Sequence, residues 1–457
     1  MALKSINPTN GIELATFKEL SVSEIDDKLG LAASTFPLWK QKTYAERGKI
    51  IANAAKILLS EKDKWGELIT LEMGKTLASA IAEVEKCALT CNFYAENASA
   101  FLSDEKIATE TDSYIRYLPL GVILAIMPWN FPFWQAFRFI APTLMAGNTC
   151  VLKHASNVPQ CALALEEILV RAGAPIGTFQ TLLIGSDKVA PVIQDTRIAA
   201  VTLTGSEGAG ARVASVAGTS LKKCVLELGG NDPFIVFPSA NLDLAISAAV
   251  KSRMMANGQS CVCAKRFIVH SDIYDKFERE FTKSVQALRI GDPMLPNTDI
   301  GPLATADAVD TVEQQVNRSL TAGARLVAGG KRINKVGNFY MPTVLADIPL
   351  TAPVYAEEVF APVAMLFKVN SFDEAIELAN NTPFGLGSSV WTEDIQERDR
   401  AIAELDAGQT FVNSIVASDP RLPFGGIKLS GYGRELGTLG IREFTNIKTV
   451  SIAKNGC

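Results

Sequence analysis

From Gly121 onward the sequence predicts an α/β protein built on parallel, doubly wound sheets. Three observations carry that prediction. Apolar strand-like runs recur at Val122–Met127, Thr149–Lys153, Thr181–Ile184, Ala199–Thr204 and Lys223–Leu228. Helix-like stretches separate them: Val158–Ala172, a short one from Lys188, and one from Glu207. Fully apolar strands joined through helices belong to parallel sheets covered on both faces. Polar residues also gather where such strands end, at Trp129 and Asn130, Lys153–Ser156, Gly205 and Ser206, and Glu227. Ligands of open parallel sheets bind beyond the carboxyl edge, so these ends predict a site.

Residues 1–100 read as an irregular lead followed by amphipathic helices at Ser21–Phe36, Tyr44–Glu61 and Lys64–Asn97, the last broken at glycines. They predict helical cladding for the sheet. Lys106–Pro119 alternates and is rich in β-formers, as an exposed ribbon needing a partner edge would be. From Asn231 a second α/β pattern begins: strand Phe234–Phe237, helix Leu242–Asn257, a small-residue loop around Cys261, strand Arg266–His270, then alternation through Val412.

With 457 residues the chain exceeds one hydrophobic core and predicts two or three domains. A net charge of -5 and a pI near 5.4 argue against nucleic-acid binding, because no positive stripe displaces counterions from phosphates. The most apolar run, Leu118–Trp134, is interrupted by Pro128, Asn130 and Pro132, and the first residues lack an apolar export core. Neither membrane insertion nor export is expected. Eight cysteines, at 87, 91, 150, 161, 224, 261, 263 and 457, show no framework spacing and suit reduced cytoplasmic thiols. The two histidines, His154 and His270, lie at no ligand spacing from a cysteine pair, so no metal site is expected; His270 reads as a structural residue in a strand.

Within Asn257–Arg266, Cys261 could serve as a nucleophile, a metal ligand, half of a disulfide or a small core residue. Thr204-Gly-Ser-Glu-Gly-Ala-Gly210 follows a strand and opens a helix, a setting in which free amides and the helix dipole face an anion. Its spacing is not Gly-x-Gly-x-x-Gly.

Gly258-Gln-Ser-Cys261 resembles the nucleophile loop of the aldehyde dehydrogenase superfamily. Four more stretches resemble that family's motifs in the family's order: Pro128-Trp-Asn-Phe-Pro132, Val225-Leu-Glu-Leu-Gly-Gly230, Glu357-Glu-Val-Phe360 and Pro423-Phe-Gly-Gly-Ile-Lys-Leu-Ser-Gly-Tyr-Gly-Arg-Glu435. The resemblance implies a Rossmann-type cofactor-binding domain over 1–102 and 121–229, an α/β catalytic domain over 230–439, and a β-ribbon oligomerisation arm over 103–120 and 440–457, with its last strand near Ile447–Ala453. It implies a homodimer or homotetramer. It further implies Cys261 as nucleophile, the Asn130 amide and the Cys261 backbone N–H as oxyanion donors, and Glu227 as the base for thioester hydrolysis.

Cofactor contacts are implied for Trp129, Lys153, Ser156, Gly205, Ser206, Glu358 and Phe360. Ala361 departs from the glycine usual in the family. Members preferring NAD tend to carry a carboxylate where this chain has Ser156; without that charge and with Lys153 nearby, a 2′-phosphate meets attraction rather than repulsion, and NADP is expected over NAD.

Arg138 and Ser418 fall where members oxidising succinate semialdehyde place carboxylate-binding groups; the lesser alternative for Arg138 is an ordinary surface arginine. A second arginine expected six residues before the cysteine is absent; Met255 stands there and Arg253 two residues earlier. The expectation is a dehydrogenase for succinate semialdehyde. Alternatives are a dehydrogenase for other short aliphatic aldehydes, or a silent protein on the same scaffold. Cys263, two residues beyond the expected nucleophile, is either a redox partner trapping its sulfenic acid as a disulfide or a small packing residue.

Overall fold

The computed structural model describes residues 2–109 and 111–453. Met1 and Glu110, and with them the start of the expected first domain and one position of the ribbon, lie outside the described residues; so do residues 454–457, which include Cys457 and the expected end of the arm.

The first sheet has six strands in the order Gly431–Tyr432, Lys223–Glu227, Ile198–Thr204, Val122–Met127, Thr149–His154, Phe179–Thr181. All pairings among the last five are parallel, and only the short Gly431–Tyr432 edge runs antiparallel. Val122–Met127 is almost wholly buried, as a strand covered on both faces must be. On one face lie the N-terminal helices Tyr44–Ser60, Lys62–Met73 and Leu77–Phe101 with helix Trp134–Met145; the other face packs around Leu124, Val201 and Val213. The second sheet has seven strands, ordered Arg325–Ala328, Thr343–Ala346, Val363–Val369, Arg266–His270, Pro233–Val236, Ser388–Trp391, Thr410–Val412, and only its first pair is antiparallel.

Several expected boundaries shift. The lead is not irregular: Ala2–Ile6 and Glu13–Lys18 form an antiparallel hairpin. The first helix runs on through Pro37 to Gln41. The strand expected at Thr181–Ile184 lies at Phe179–Thr181, where it pairs with Cys150–Leu152. The helix from Leu242 stops at Met254, and a tight turn over Met255–Gly258 takes Ala256 and Asn257 to positive φ.

Asp112–Pro119 pairs with Glu105–Ala108 on one side and Thr445–Ile452 on the other, giving a three-stranded antiparallel ribbon. Asn148 fastens both of its roots. Its Oδ1 accepts from the backbone N–H of Leu120 and of Gly121, and its Nδ2 donates to the Phe444 carbonyl; the Asn148 side chain is fully buried and only the Leu120 bond is part-buried. Asn148→Ala would orphan those groups, and a buried unpaired polar group costs about 1–3 kcal/mol. A loss of roughly 2–4 kcal/mol in urea-induced unfolding is expected; an unchanged midpoint would show that the ribbon is anchored elsewhere.

Candidate active site

The cleft is lined by residues that follow strands of the first sheet and residues that precede strands of the second. From the first sheet the cleft receives residues that follow strands: Pro128–Asn130 after Val122–Met127, Gly205 and Ser206 after Ile198–Thr204, Leu228 and Gly229 after Lys223–Glu227. From the second it receives residues that precede strands: Cys261 before Arg266–His270, and Glu358 and Phe360 before Val363–Val369.

Two cavities open here. One, of about 250 Å³, is lined by Trp129, Asn130, Gly205, Ser206, Gly229, Glu358 and Phe360 among others. The other, of about 190 Å³, is lined by Lys86, Phe131, Trp134, Arg138, Met255, Ser418 and Phe424 among others. Cys261 and Gln135 line both. Cys261, half-buried, is therefore shared by the two cavities. Burial pushes its thiol up to about 12, against the weaker opposing pull of Arg138 and Lys265.

The loop that presents Cys261 is held from within. Arg253, with no exposed surface, donates to the carbonyls of Gly258, Ala264 and Ala361. It is a scaffold residue, and Met255, not a second arginine beside Arg138, reaches the cavity. Gly258 has φ +78, and an added Cβ would stand 2.4 Å from the Pro362 nitrogen, so the loop lies directly on Ala361 and Pro362. Lys265 Nζ donates to the Ser260 and Cys261 carbonyls and sits 3.1 Å from Glu358 Oε1, which also accepts from Gly230 N–H. Cys263 turns inward: it is fully buried, its Sγ is 3.5 Å from the Met255 carbonyl, and it lines neither cavity. The turn in which Cys263 N–H donates to the Ser260 carbonyl places the two cysteines in different surroundings, Cys261 at the cavities and Cys263 inside.

Asn130 is buried, and its Nδ2 donates to the Gln259 carbonyl at 3.0 Å, leaving the second amide proton available beside Cys261. Glu227 is buried with neither carboxylate oxygen hydrogen-bonded, and it lines neither cavity. Its Oε1 fits against Gly425, where a Cβ would come within 2.7 Å. Burial, then the nearby Glu435 charge, holds its carboxyl well above the usual range.

Glu435 is the ion-pair partner of Arg138, which is 2% exposed, donates from Nη2 to Thr204 Oγ1 and stacks 4.6 Å from the Phe424 ring. Arg138 is thus no surface arginine: it forms a cavity wall with its charge already matched. Ser418 Oγ accepts from Lys86 Nζ at 2.7 Å. Lys86 and Glu83 were not singled out by the sequence reading; they share one face of helix Leu77–Phe101 with Ser79 and Ala82, at spacings of three and four residues, inside a stretch read as cladding.

The larger cavity suits a dinucleotide. Ser206 caps helix Glu207–Thr219, accepting from Ala209 N–H, so the helix's free amides open beside Gly205 and Ser206. The Trp129 and Phe360 rings meet edge to face at 5.7 Å and form an apolar wall for a planar ring. Gly229 leaves room that any Cβ would take from Glu358 Oε2, 2.5 Å away. Lys153 is part-buried at the end of its strand, and Ser156 is exposed in the turn that follows.

Both histidines are structural. His154 is buried and neutral, pulled down to about 4 by burial, with Nε2 on the Pro132 carbonyl. His270 caps helix Ser271–Gln286. With no imidazole to take its proton, Cys261 in the free protein should be alkylated by iodoacetamide about tenfold faster for each pH unit between 7 and 9. A plateau near pH 7 would show a base that this geometry does not contain.

Residues 1–450 match the aldehyde dehydrogenase family. A Synechocystis protein named probable succinate-semialdehyde dehydrogenase, NADP(+), is 54% identical over 454 residues, which is 99% of this chain and 100% of that one. Succinate-semialdehyde dehydrogenase, NADP(+), 1 of Mycobacterium bovis is 53% identical over 458 residues, with the same two coverages. Among solved structures, succinic semialdehyde dehydrogenase from Streptococcus pyogenes in complex with NADP+ superposes with a TM-score of 0.97 at 40% identity, covering 99% of this chain and 100% of that one. On this full-length match of sequence and fold, the chain belongs to the aldehyde dehydrogenase family.

Proposed function

We propose that this protein oxidises succinate semialdehyde to succinate with NADP as the preferred hydride acceptor. The observation that carries the reading is that Cys261 lines two cavities at once, one built for a dinucleotide and one carrying cations on an apolar wall. The similarity to relatives named as NADP(+) succinate-semialdehyde dehydrogenases supports it. Trp129, Lys153, Ser156, Gly205, Ser206, Glu358 and Phe360 would hold the cofactor. Bound NADP+ supplies a hydride acceptor and a positive charge beside the reacting carbon.

Cys261 gives its proton to water in the open cavity and its sulfur adds to the aldehyde carbon, so the carbonyl oxygen becomes an alkoxide. The Cys261 N–H and the free Asn130 amide proton meet that oxygen; one such donor is typically worth about 10²–10³ in rate. Loss of hydride from the tetrahedral carbon leaves a thioester on Cys261. Glu227 takes a proton from the water that adds to it, and the carbon–sulfur bond breaks to release succinate. To do so its carboxylate turns out from beside Gly425, and Leu228 and Gly229, already lining the cofactor cavity, keep its backbone at hand.

Phe131, Trp134, Val416 and Phe424 give the substrate cavity an apolar wall, which also favours the second reading, short aliphatic aldehydes. The ribbon, with Ile107, Ile447 and Ile452 exposed along it, supports assembly into a homodimer or homotetramer, and the proposed setting is the cytoplasm.

Cys261→Ala should abolish turnover, and Glu227→Gln should give a single burst of reduced cofactor in stopped-flow absorbance before stalling at the thioester. Normal turnover by the cysteine variant would overturn the mechanism. Ser156→Glu should move preference towards NAD; at an exposed site a repulsion of about 1 kcal/mol corresponds to roughly fivefold in the ratio of kcat/KM values. A wild-type enzyme that favours NAD at equal concentrations would remove the cofactor assignment.

A further inference from the structure

The substrate cavity contains a cation that no carboxylate of the protein matches. Lys86 Nζ donates to Ser418 Oγ at 2.7 Å and lies 4.3 Å from the Trp134 ring centre, and among the described residues no carboxylate comes within 4.0 Å of it. The acids around it are engaged elsewhere. Glu83 gives one oxygen to Lys75 at 2.6 Å and the other to the N–H groups of Phe133 and Trp134. Asp419 is held by Arg421 at 2.6 Å, and Glu435 by Arg138. A lysine so placed, with its stem inside and its ammonium facing a cavity, is set to receive an anion from outside the protein. Burial and the Arg138 charge pull its ammonium down to about 8, which is the strain that an incoming carboxylate relieves.

We propose that Lys86, with Ser418 beside it, anchors the substrate's ω-carboxylate and sets this cavity's preference for an aldehyde that carries an acid group. This assignment rests on the substrate reading above. It divides labour between the two cations: Arg138 and Glu435 build the wall, and Lys86 carries the selective charge. The methylenes between the two functional groups pass along Phe131, Trp134 and Val262 towards Cys261.

The test compares the full-length wild type with Lys86→Met and Lys86→Arg. Two quantities are read: the ratio of kcat/KM for succinate semialdehyde over butanal, and the protection of Cys261 from iodoacetamide by succinate. In Lys86→Met the ratio should fall roughly 10–100-fold, mainly through KM, and succinate protection should be lost; Lys86→Arg should regain most of both. Equal losses on both aldehydes, or protection unchanged in Lys86→Met, would overturn the role of Lys86. A wild type that prefers butanal would instead overturn the substrate reading, and protection by succinate would still decide Lys86. Lys86→Gln, which keeps a donor for Ser418, supplies the same comparison should Lys86→Met not fold.

Discussion

The site depends on a backbone that the chain would not adopt unaided. Ala256, Asn257 and Gly258 take φ of 49°, 60° and 78° in succession, and each non-glycine residue there costs about 1–2 kcal/mol. Side chains of the same loop hold it. Asn257 donates to the Gly74 and Pro302 carbonyls and accepts from Gly301 N–H; Gln259 accepts from Ala304 N–H; Arg253 and Lys265 gather the remaining carbonyls. These bonds reach into helical cladding on one side and the second sheet on the other. The loop is fixed to both halves of the cleft before any ligand arrives, which is what a preorganised oxyanion donor at Cys261 N–H requires.

A second constraint is electrostatic. Glu227 and Glu435 share one buried neighbourhood with Arg138, and a single guanidinium cannot keep two desolvated carboxylates ionised. Arg138 pairs with Glu435, and Glu227, left without a partner, has its carboxyl held well above the usual range by burial and by the Glu435 charge. Burial pushes the Cys261 thiol up in the same way. Desolvation thus disfavours the charged form of both reactive groups of the proposed mechanism.

How much of this was legible in the sequence follows from which signals are local. The strands of the first sheet could be read because burial on both faces makes each one a continuous apolar run. The N-terminal hairpin could not: its strands are largely exposed and carry Lys4, Thr16 and Lys18, a composition that gives no clear face. The end of the helix at Met254 was hidden because the stop signal in sequence, Asn257-Gly258, falls beyond it; the earlier turn is held by tertiary bonds to Gly74, Gly301 and Pro302. Motif spacing located Cys261, Asn130 and Glu358 around one cleft. It could not show that Arg138 spends its charge on Glu435, nearly 300 residues away in sequence, nor that Lys86, on a helix read as cladding, reaches the same cavity as Cys261.

The carboxyl-edge rule accounts for only half of the cleft. Asn130, Gly205 and Ser206 follow strands of the first sheet, as the rule requires, whereas Cys261, Glu358 and Phe360 precede strands of the second. Apposing the carboxyl edge of one sheet to the amino edge of another lets two ligands approach a single sulfur from different cavities without either crossing a sheet. It also separates their electrostatics. In the proposed reading the dinucleotide would lie beside the amino end of helix Glu207–Thr219 on one side and a carboxylated aldehyde beside Lys86 on the other, so neither anion would be repelled by the other's site. In a protein of net charge -5, attraction for anionic ligands has to be built locally, and the cleft offers the amino end of helix Glu207–Thr219 on one side and, on the other, Lys86, which no carboxylate matches among the described residues.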